Sequence, residues 1–193
     1  MLSFLTLGES RVMVPARRTF LNAAVLSGAA VALLAGRDAL AASQSKSAPS
    51  SNDAAILNSA LGAELEAIAA YEVAAGSGLL QKPVLSLAQQ FQGHHREHAD
   101  LLAKTVSKLG GKPVAARARY DFPTDKLRNQ ADVLRFAAQL EKGAVSAYLN
   151  AVPIFANRDL AKAAGSILGD EAMHWAVLRN ALGETPVPSA YVS

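Results

Sequence analysis

The 193-residue chain has no cysteine, a single tryptophan, 6% aromatic and 18% charged residues. Without thiols, disulfide scaffolds, thiol catalysis and Cys-ligated zinc or iron–sulfur centres are excluded. Any metal therefore has to be held by Asp, Glu and the four histidines. β-Branched and aromatic residues are sparse while alanine is abundant, which disfavours a sandwich or barrel and favours packed helices. The length allows one domain with an appendage. A formal charge of +3 raises nucleic acid as a partner only if the basic residues lie in the folded part.

Most of that excess charge does not. Arg17 and Arg18, then Phe20 and Leu21, precede an Ala/Gly-rich apolar run to Ala35, closed by Arg37, Asp38 and the small-residue site Ala39-Leu40-Ala41. A basic stretch, a short apolar core and an A-x-A site in that order read as a cleavable export signal over residues 1–41. Arg17-Arg18-x-Phe20-Leu21 resembles the twin-arginine (Tat) signal, which implies export machinery that carries folded proteins and a periplasmic destination. Only 18 residues separate Arg18 from Arg37 and several are polar, so removal is expected rather than a permanent membrane anchor. Residues 1–41 hold four of the 19 basic and two of the 16 acidic residues, which leaves 15 against 14, or +1. Lys46 is the one positive charge in the polar stretch 42–52, so no nucleic-acid partner is expected.

Residues 42–52 read as a flexible leader. Asp53 is expected to cap a first helix running to Ala75, before Gly76-Ser77-Gly78. A second helix begins near Pro83 and ends at Gly110-Gly111. Thr124 or Asp125 is expected to cap a third, to about Asn150, which Pro153 ends or kinks. The fourth runs from about Asp159 to Leu182, closed by Gly183, and leaves residues 184–193 as a tail. A helix of about 25 residues spans roughly 38 Å, and the stretch 110–126 extends to about 56 Å, enough to cross the bundle. Short links within each pair and one long crossover between the second and third helices describe an all-α, ferritin-like four-helix bundle over residues 53–183.

Each helix carries ionisable groups on its apolar stripe. Leu57, Leu61, Glu64, Ile68 and Tyr71 share a face of the first, and Leu134, Ala137, Glu141, Ala144 and Tyr148 repeat that pattern on the third. On the second the face is Leu87, Phe91, His95, His98 and Leu102; on the fourth it includes Ile167, Glu171, His174 and Leu178. Glu64 and Tyr71, like Glu141 and Tyr148, are seven residues apart, so the halves read as pseudo-repeats. Unpaired carboxylates in a core cost several kcal/mol, so four such helices call for bound cations. Carboxylate and imidazole donors suit Fe(II), Mn(II) or Zn(II). Tyr71 and Tyr148 read first as core aromatics, with a catalytic part just behind the ligands as the sharper alternative. Glu66, Glu72 and Glu97 lie off the stripes and read as solvated charges, and Trp175 as packing.

Ile56-Leu57-Asn58 through Glu64 to Tyr71, Leu140-Glu141 followed by Ser146-Ala147-Tyr148, and Glu171-x-x-His174 together resemble the ferritin-like superfamily, specifically its exported bacterial members, over residues 54–183. The resemblance passes a metal-ligand role to Glu64, His98, Glu141, Glu171 and His174. It implies a dinuclear iron or manganese centre, with zinc as a further candidate. Activities in the superfamily range over iron storage, iron oxidation, peroxide handling and oxygen-dependent oxidation, so the fold alone does not select one.

One position departs from the pattern. Where the family has Glu-x-x-His on the second helix, this chain has His95-x-x-His98, preceded by His94. Three glutamates supply −3 where two divalent ions carry +4, so either His95 or His94 serves as an additional imidazole ligand, or the second metal is weak. The leading expectation is metal oxidation, or oxygen or peroxide chemistry, in an envelope stress or metal-handling role. Its rivals are a non-catalytic metal-binding or storage protein and a structural domain with a degenerate site, whose stripe carboxylates would be paired with Arg or Lys. A homo-oligomer is compatible with either.

Overall fold

The computed structural model describes residues 49–192. The expected export signal and residues 42–48 of the leader lie outside the described residues. Four long helices account for the domain: α1 (Pro49–Gly76), α2 (Lys82–Lys108), α3 (Gln130–Ala151) and α4 (Arg158–Ala181), with 3₁₀ turns at Thr124–Lys126 and Val152–Ile154. Among the described residues there is no strand, and no helix is long and apolar enough to cross a membrane. α1 packs chiefly on α2, α3 on α4, and α1 meets α3 between the pairs. The expected all-α bundle with its long crossover is the fold.

The helix ends follow from their residues. α2 begins with Pro83 in its first turn and closes in a Schellman motif, in which Gly110 N–H donates to Ser107 and Gly111 N–H to Val106. Gly110 takes φ 79°, a left-handed conformation that glycine adopts without strain. α4 closes the same way around Gly183. The crossover leaves α2 and is latched to α1 by Asn58, whose Nδ2 donates to Lys112 O at 2.9 Å and whose Oδ1 accepts from Val114 N at 2.8 Å.

Several local expectations are corrected. α1 starts at Pro49, so Asp53 is not its cap. Asp53 is instead buried and accepts from the backbone N–H groups of Ala156 and Asn157 at 2.8 and 2.9 Å, tying α1 to the start of α4. Thr124 and Asp125 form a separate 3₁₀ turn, and Asn129 caps α3 by accepting from Asp132 N–H at 3.0 Å. Proximity to a long apolar pattern misled there, because a cap is chosen by the backbone that precedes the first turn. Glu66 is buried rather than solvated, whereas Glu72 and Glu97 are exposed as expected.

Two apolar clusters fill the bundle. One contains Ile56, Leu57, Leu61, Leu102, Val106 and Ile167; the other contains Tyr71, Phe91, Leu134, Ala137 and Leu178. Along every helix the two are separated by the ionisable positions: Glu64 after Leu61, His95 after Phe91, Glu141 after Ala137, and Glu171 with His174 between Ile167 and Leu178. A charged layer thus lies at one depth between two apolar blocks.

Candidate metal centre

The helical period brings one residue from each turn to the interior, so the layer is assembled from one or two side chains on each of four helices. Glu64 comes from α1, His95 and His98 from α2, Glu141 from α3, and Glu171 and His174 from α4. All but His98 are buried. His95 stands at the centre: its Nδ1 lies 2.8 Å from Glu64 Oε2 and 3.5 Å from Glu171 Oε1, and its Nε2 lies 3.3 Å from Glu141 Oε1. His98 Nδ1 is 3.1 Å from Glu171 Oε1, and His174 Nδ1 is 3.4 Å from Glu171 Oε2 and 3.5 Å from Glu141 Oε1.

The donors fall into two overlapping sets, Glu64–His95–His98–Glu171 and His95–Glu141–Glu171–His174, each with ligand atoms within 4.8 Å of one another. Both sets share His95 and Glu171. All six expected ligand positions therefore converge, and His95 rather than His94 is the extra imidazole in this inner layer.

Tyr148 Oη donates to Glu64 Oε1 at 2.6 Å, and Tyr71 Oη donates to Glu141 Oε1. The pseudo-repeat is thereby expressed in space, each tyrosine reaching the glutamate of the other half. Burial pushes both phenols well above their ordinary value and the facing carboxylates push further, so both tyrosines stay protonated and act as donors.

Electrostatics in the layer are set by close carboxylate–imidazole contacts. Burial would lower the histidines, but close contacts with the glutamates and the carboxylates' field reverse this: His98 and His174 are raised to about 9, and His95 well above its ordinary range. Burial would raise Glu141, but His174 and His95 hold it well below the usual carboxylate range. Imidazolium cations balance the carboxylates in the metal-free chain. Among the described residues, every ion-pair partner of Glu64, Glu141, Glu171 and Asp170 is a histidine. Among the described residues none of these carboxylates has the Arg or Lys pairing expected of a purely structural domain.

The donor set fits a metal. Glu141 Oε2, Glu171 Oε2 and His174 Nδ1 are buried without a hydrogen-bond partner, and the last two face each other at 3.4 Å. Buried polar atoms left unsatisfied cost roughly 1–3 kcal/mol each, and more when charged. A cation between them would satisfy all three.

Sequence reasoning missed Asp170. Its Oδ2 lies 3.2 Å from His174 Nε2, 3.4 Å from His98 Nε2 and 3.1 Å from His94 Nδ1. The signal was present, since Asp170 is four residues before His174 and hence on the same helical face. His94-His95-x-x-His98 on α2 aligns with Asp170-Glu171-x-x-His174 on α4, so one half carries two imidazoles where the other carries two carboxylates. The fourth negative charge absent from α2 is supplied by α4 at the edge of the layer.

Comparisons with known proteins agree with this architecture. A crystal structure of a conserved hypothetical protein from Mycobacterium tuberculosis is similar at 26% identity with a TM-score of 0.65, over 75% of this chain and 99% of that one. Ferritin-like, diiron-carboxylate proteins from Bacillus anthracis share the fold at 24% identity, with a TM-score of 0.61 over 71% of this chain and 99% of that one. No curated protein matches the chain. Residues 52–184 match the family described as the ferritin-like domain, and with four helices of that topology around a Glu/His layer, the chain belongs to that family.

Proposed function

We propose that the protein is an exported, periplasmic ferritin-like protein whose bundle holds a dinuclear iron or manganese centre. Zinc is the other ion its donors suit. In this reading the protein oxidises a bound divalent metal, or reduces oxygen or peroxide, in envelope stress or metal handling. The observation that carries it is the convergence of Glu64, Glu141, Glu171, His95, His98 and His174 with three buried ligand atoms that make no hydrogen bond. The diiron-carboxylate character of the similar Bacillus anthracis proteins supports it, as does the twin-arginine pattern at Arg17-Arg18.

When bound, such a centre supplies two one-electron oxidations, the two electrons that peroxide takes up with two protons to give two waters. The chain's own residues prepare the place. Glu64 and Glu141 are held in orientation by Tyr148 and Tyr71. Glu171 and His95 are common to both ligand sets and would be the donors within reach of either ion. Asp170 Oδ2 stands 3.4 Å from His98 Nε2 and 3.2 Å from His174 Nε2, while the Nδ1 atoms of both rings are turned inward to the glutamates. The apolar clusters on either side keep water from the layer and strengthen every charge interaction within it.

The test is elemental analysis of protein recovered from the periplasm, followed by anaerobic loading with Fe(II) and exposure to oxygen or peroxide. About two metals per chain and ferric charge-transfer absorption that develops much faster than in a Glu141→Ala variant support the reading. Fewer than about 0.5 metal per chain with no uptake on reconstitution would sink it. Uptake without accelerated oxidation would leave a metal-binding protein and remove the redox role.

A further inference from the structure

His94 is not part of the inner layer, yet it does not point idly at solvent. Its Nδ1 lies 2.9 Å from His174 Nε2 and 3.1 Å from Asp170 Oδ2, and those two atoms are 3.2 Å apart. The three atoms form a nearly equilateral triangle drawn from α2 and α4. Donors about 2.1 Å from a common ion and at right angles stand about 3.0 Å from one another, so the triangle has the size of one face of a coordination sphere. Two imidazoles and one carboxylate with an open side form the facial arrangement that first-row divalent ions accept.

We propose that His94, Asp170 and His174 form an outer cation site for a first-row divalent ion, at the edge of the inner layer and sharing His174 with it. The accessible side belongs to the cluster itself. The side chains of His94 and Asp170 are 35% and 22% exposed, against 0–3% for the inner glutamates, so an ion reaches this site without the bundle opening. His174 is 2% exposed and is held in place by Phe91, whose ring stacks on it at 4.0 Å. It turns Nε2 to the outer triangle and Nδ1 to Glu141 and Glu171, so the two sites meet on opposite edges of one ring, and filling both makes His174 a bridging imidazolate whose ring proton passes to the buffer. Hydrogen bonding alone serves the triangle poorly. His94 Nδ1 can offer either one hydrogen or one lone pair, and it faces two partners at once, whereas a cation at the centre engages all three donors together. The outer site depends on none of the inner glutamates.

Zn(II) titration by calorimetry at pH 7.5 tests this on four full-length chains: wild type, His94→Ala, Glu64→Ala/Glu141→Ala, and the triple variant. We expect His94→Ala to bind one Zn(II) fewer than wild type. The double variant should keep one Zn(II), and adding His94→Ala to it should weaken that binding about 10-fold or more. If His94→Ala changes neither stoichiometry nor affinity in either background, the outer site is overturned and the triangle only orients His174. If the double variant keeps its ion but no chain binds more than that one, the outer site stands and the inner dinuclear reading fails. Circular dichroism checks folding, and should the double variant not fold, the comparison of wild type with His94→Ala decides alone.

Discussion

Tyr148 on α3 donates its hydroxyl hydrogen to Glu64 on α1 at 2.6 Å across the buried layer, and Tyr71 returns the same contact from α1 to Glu141 on α3. The spacing of seven residues between each glutamate and tyrosine puts both on one face of their own helix, but each tyrosine bonds the glutamate of the opposite helix rather than its own.

Replacing either phenol with Phe removes a donor to a buried carboxylate and leaves the ring. Tyr148→Phe should destabilise the metal-free protein by about 1.5–3 kcal/mol, as for hydrogen bonds to charged groups. Metal affinity should fall about 10-fold because Glu64 loses its orientation. Urea denaturation and a competition titration with a chelating dye read the two effects. Unchanged affinity would show that the phenol serves the core alone.

The metal-free protein should lose stability as pH rises. His98 and His174 have folded-state values near 9 against an ordinary 6.5, so their contribution is complete below about 6.5 and is lost as pH rises through about 9. A drop of about 5 °C in Tm between pH 6.5 and 9.5 in the presence of a chelator is expected. Carboxylates alone would give the opposite trend, with stability rising from acid to neutral pH.

Metal loading should reverse that dependence, because ligation requires neutral imidazole and releases the protons that His98 and His174 hold at pH 7. Calorimetric enthalpies of Mn(II) binding should vary with the ionisation enthalpy of the buffer. At about 100 times Kd the ion should add about 2.7 kcal/mol of stability, removable by a chelator. A buffer-independent enthalpy would contradict the protonated layer.

His95→Glu would restore the carboxylate expected from the family pattern, but place it among Glu64, Glu141 and Glu171 with no imidazole between them. The metal-free variant should have a Tm lower by about 5 °C or more, and the metal-loaded variant a higher one than loaded wild type. Differential scanning calorimetry of both forms checks the sign.

Asp53→Ala should cost about 2–3 kcal/mol, since it strips acceptors from the Ala156 and Asn157 N–H groups while removing no ligand. Asp53→Asn should recover part of this. Metal stoichiometry should be unchanged in both, as measured by elemental analysis of the folded protein.

Much of the inner layer was legible before any coordinates. Glu64, Glu141, Glu171, His95, His98 and His174 stand out because a charged residue on an apolar stripe is costly unless something compensates it, and stripes are visible as periodicity. Asp170 was not legible in the same way. It lies beside the stripe of α4, and only the approach of α2 turns an edge residue into the shared carboxylate neighbour of His94, His98 and His174. Asp53 and Glu66 were misread for a related reason, because burial at the margin of a helix depends on which neighbour covers that margin.

The sequence by itself determined the four helices, their pairing through one long crossover and the ionisable set carried on their inner faces, all of which follow from helical periodicity and loop length. Only the tertiary structure decided partnership: that Tyr148 serves Glu64 and Tyr71 serves Glu141, that His95 lies between the two ligand sets, and that His94 and Asp170 meet on the outer edge of His174. Such contacts span 70 to 84 residues of chain. They are set by how two helices rotate and slide against one another when their side chains interlock, and that packing is written in no single helix.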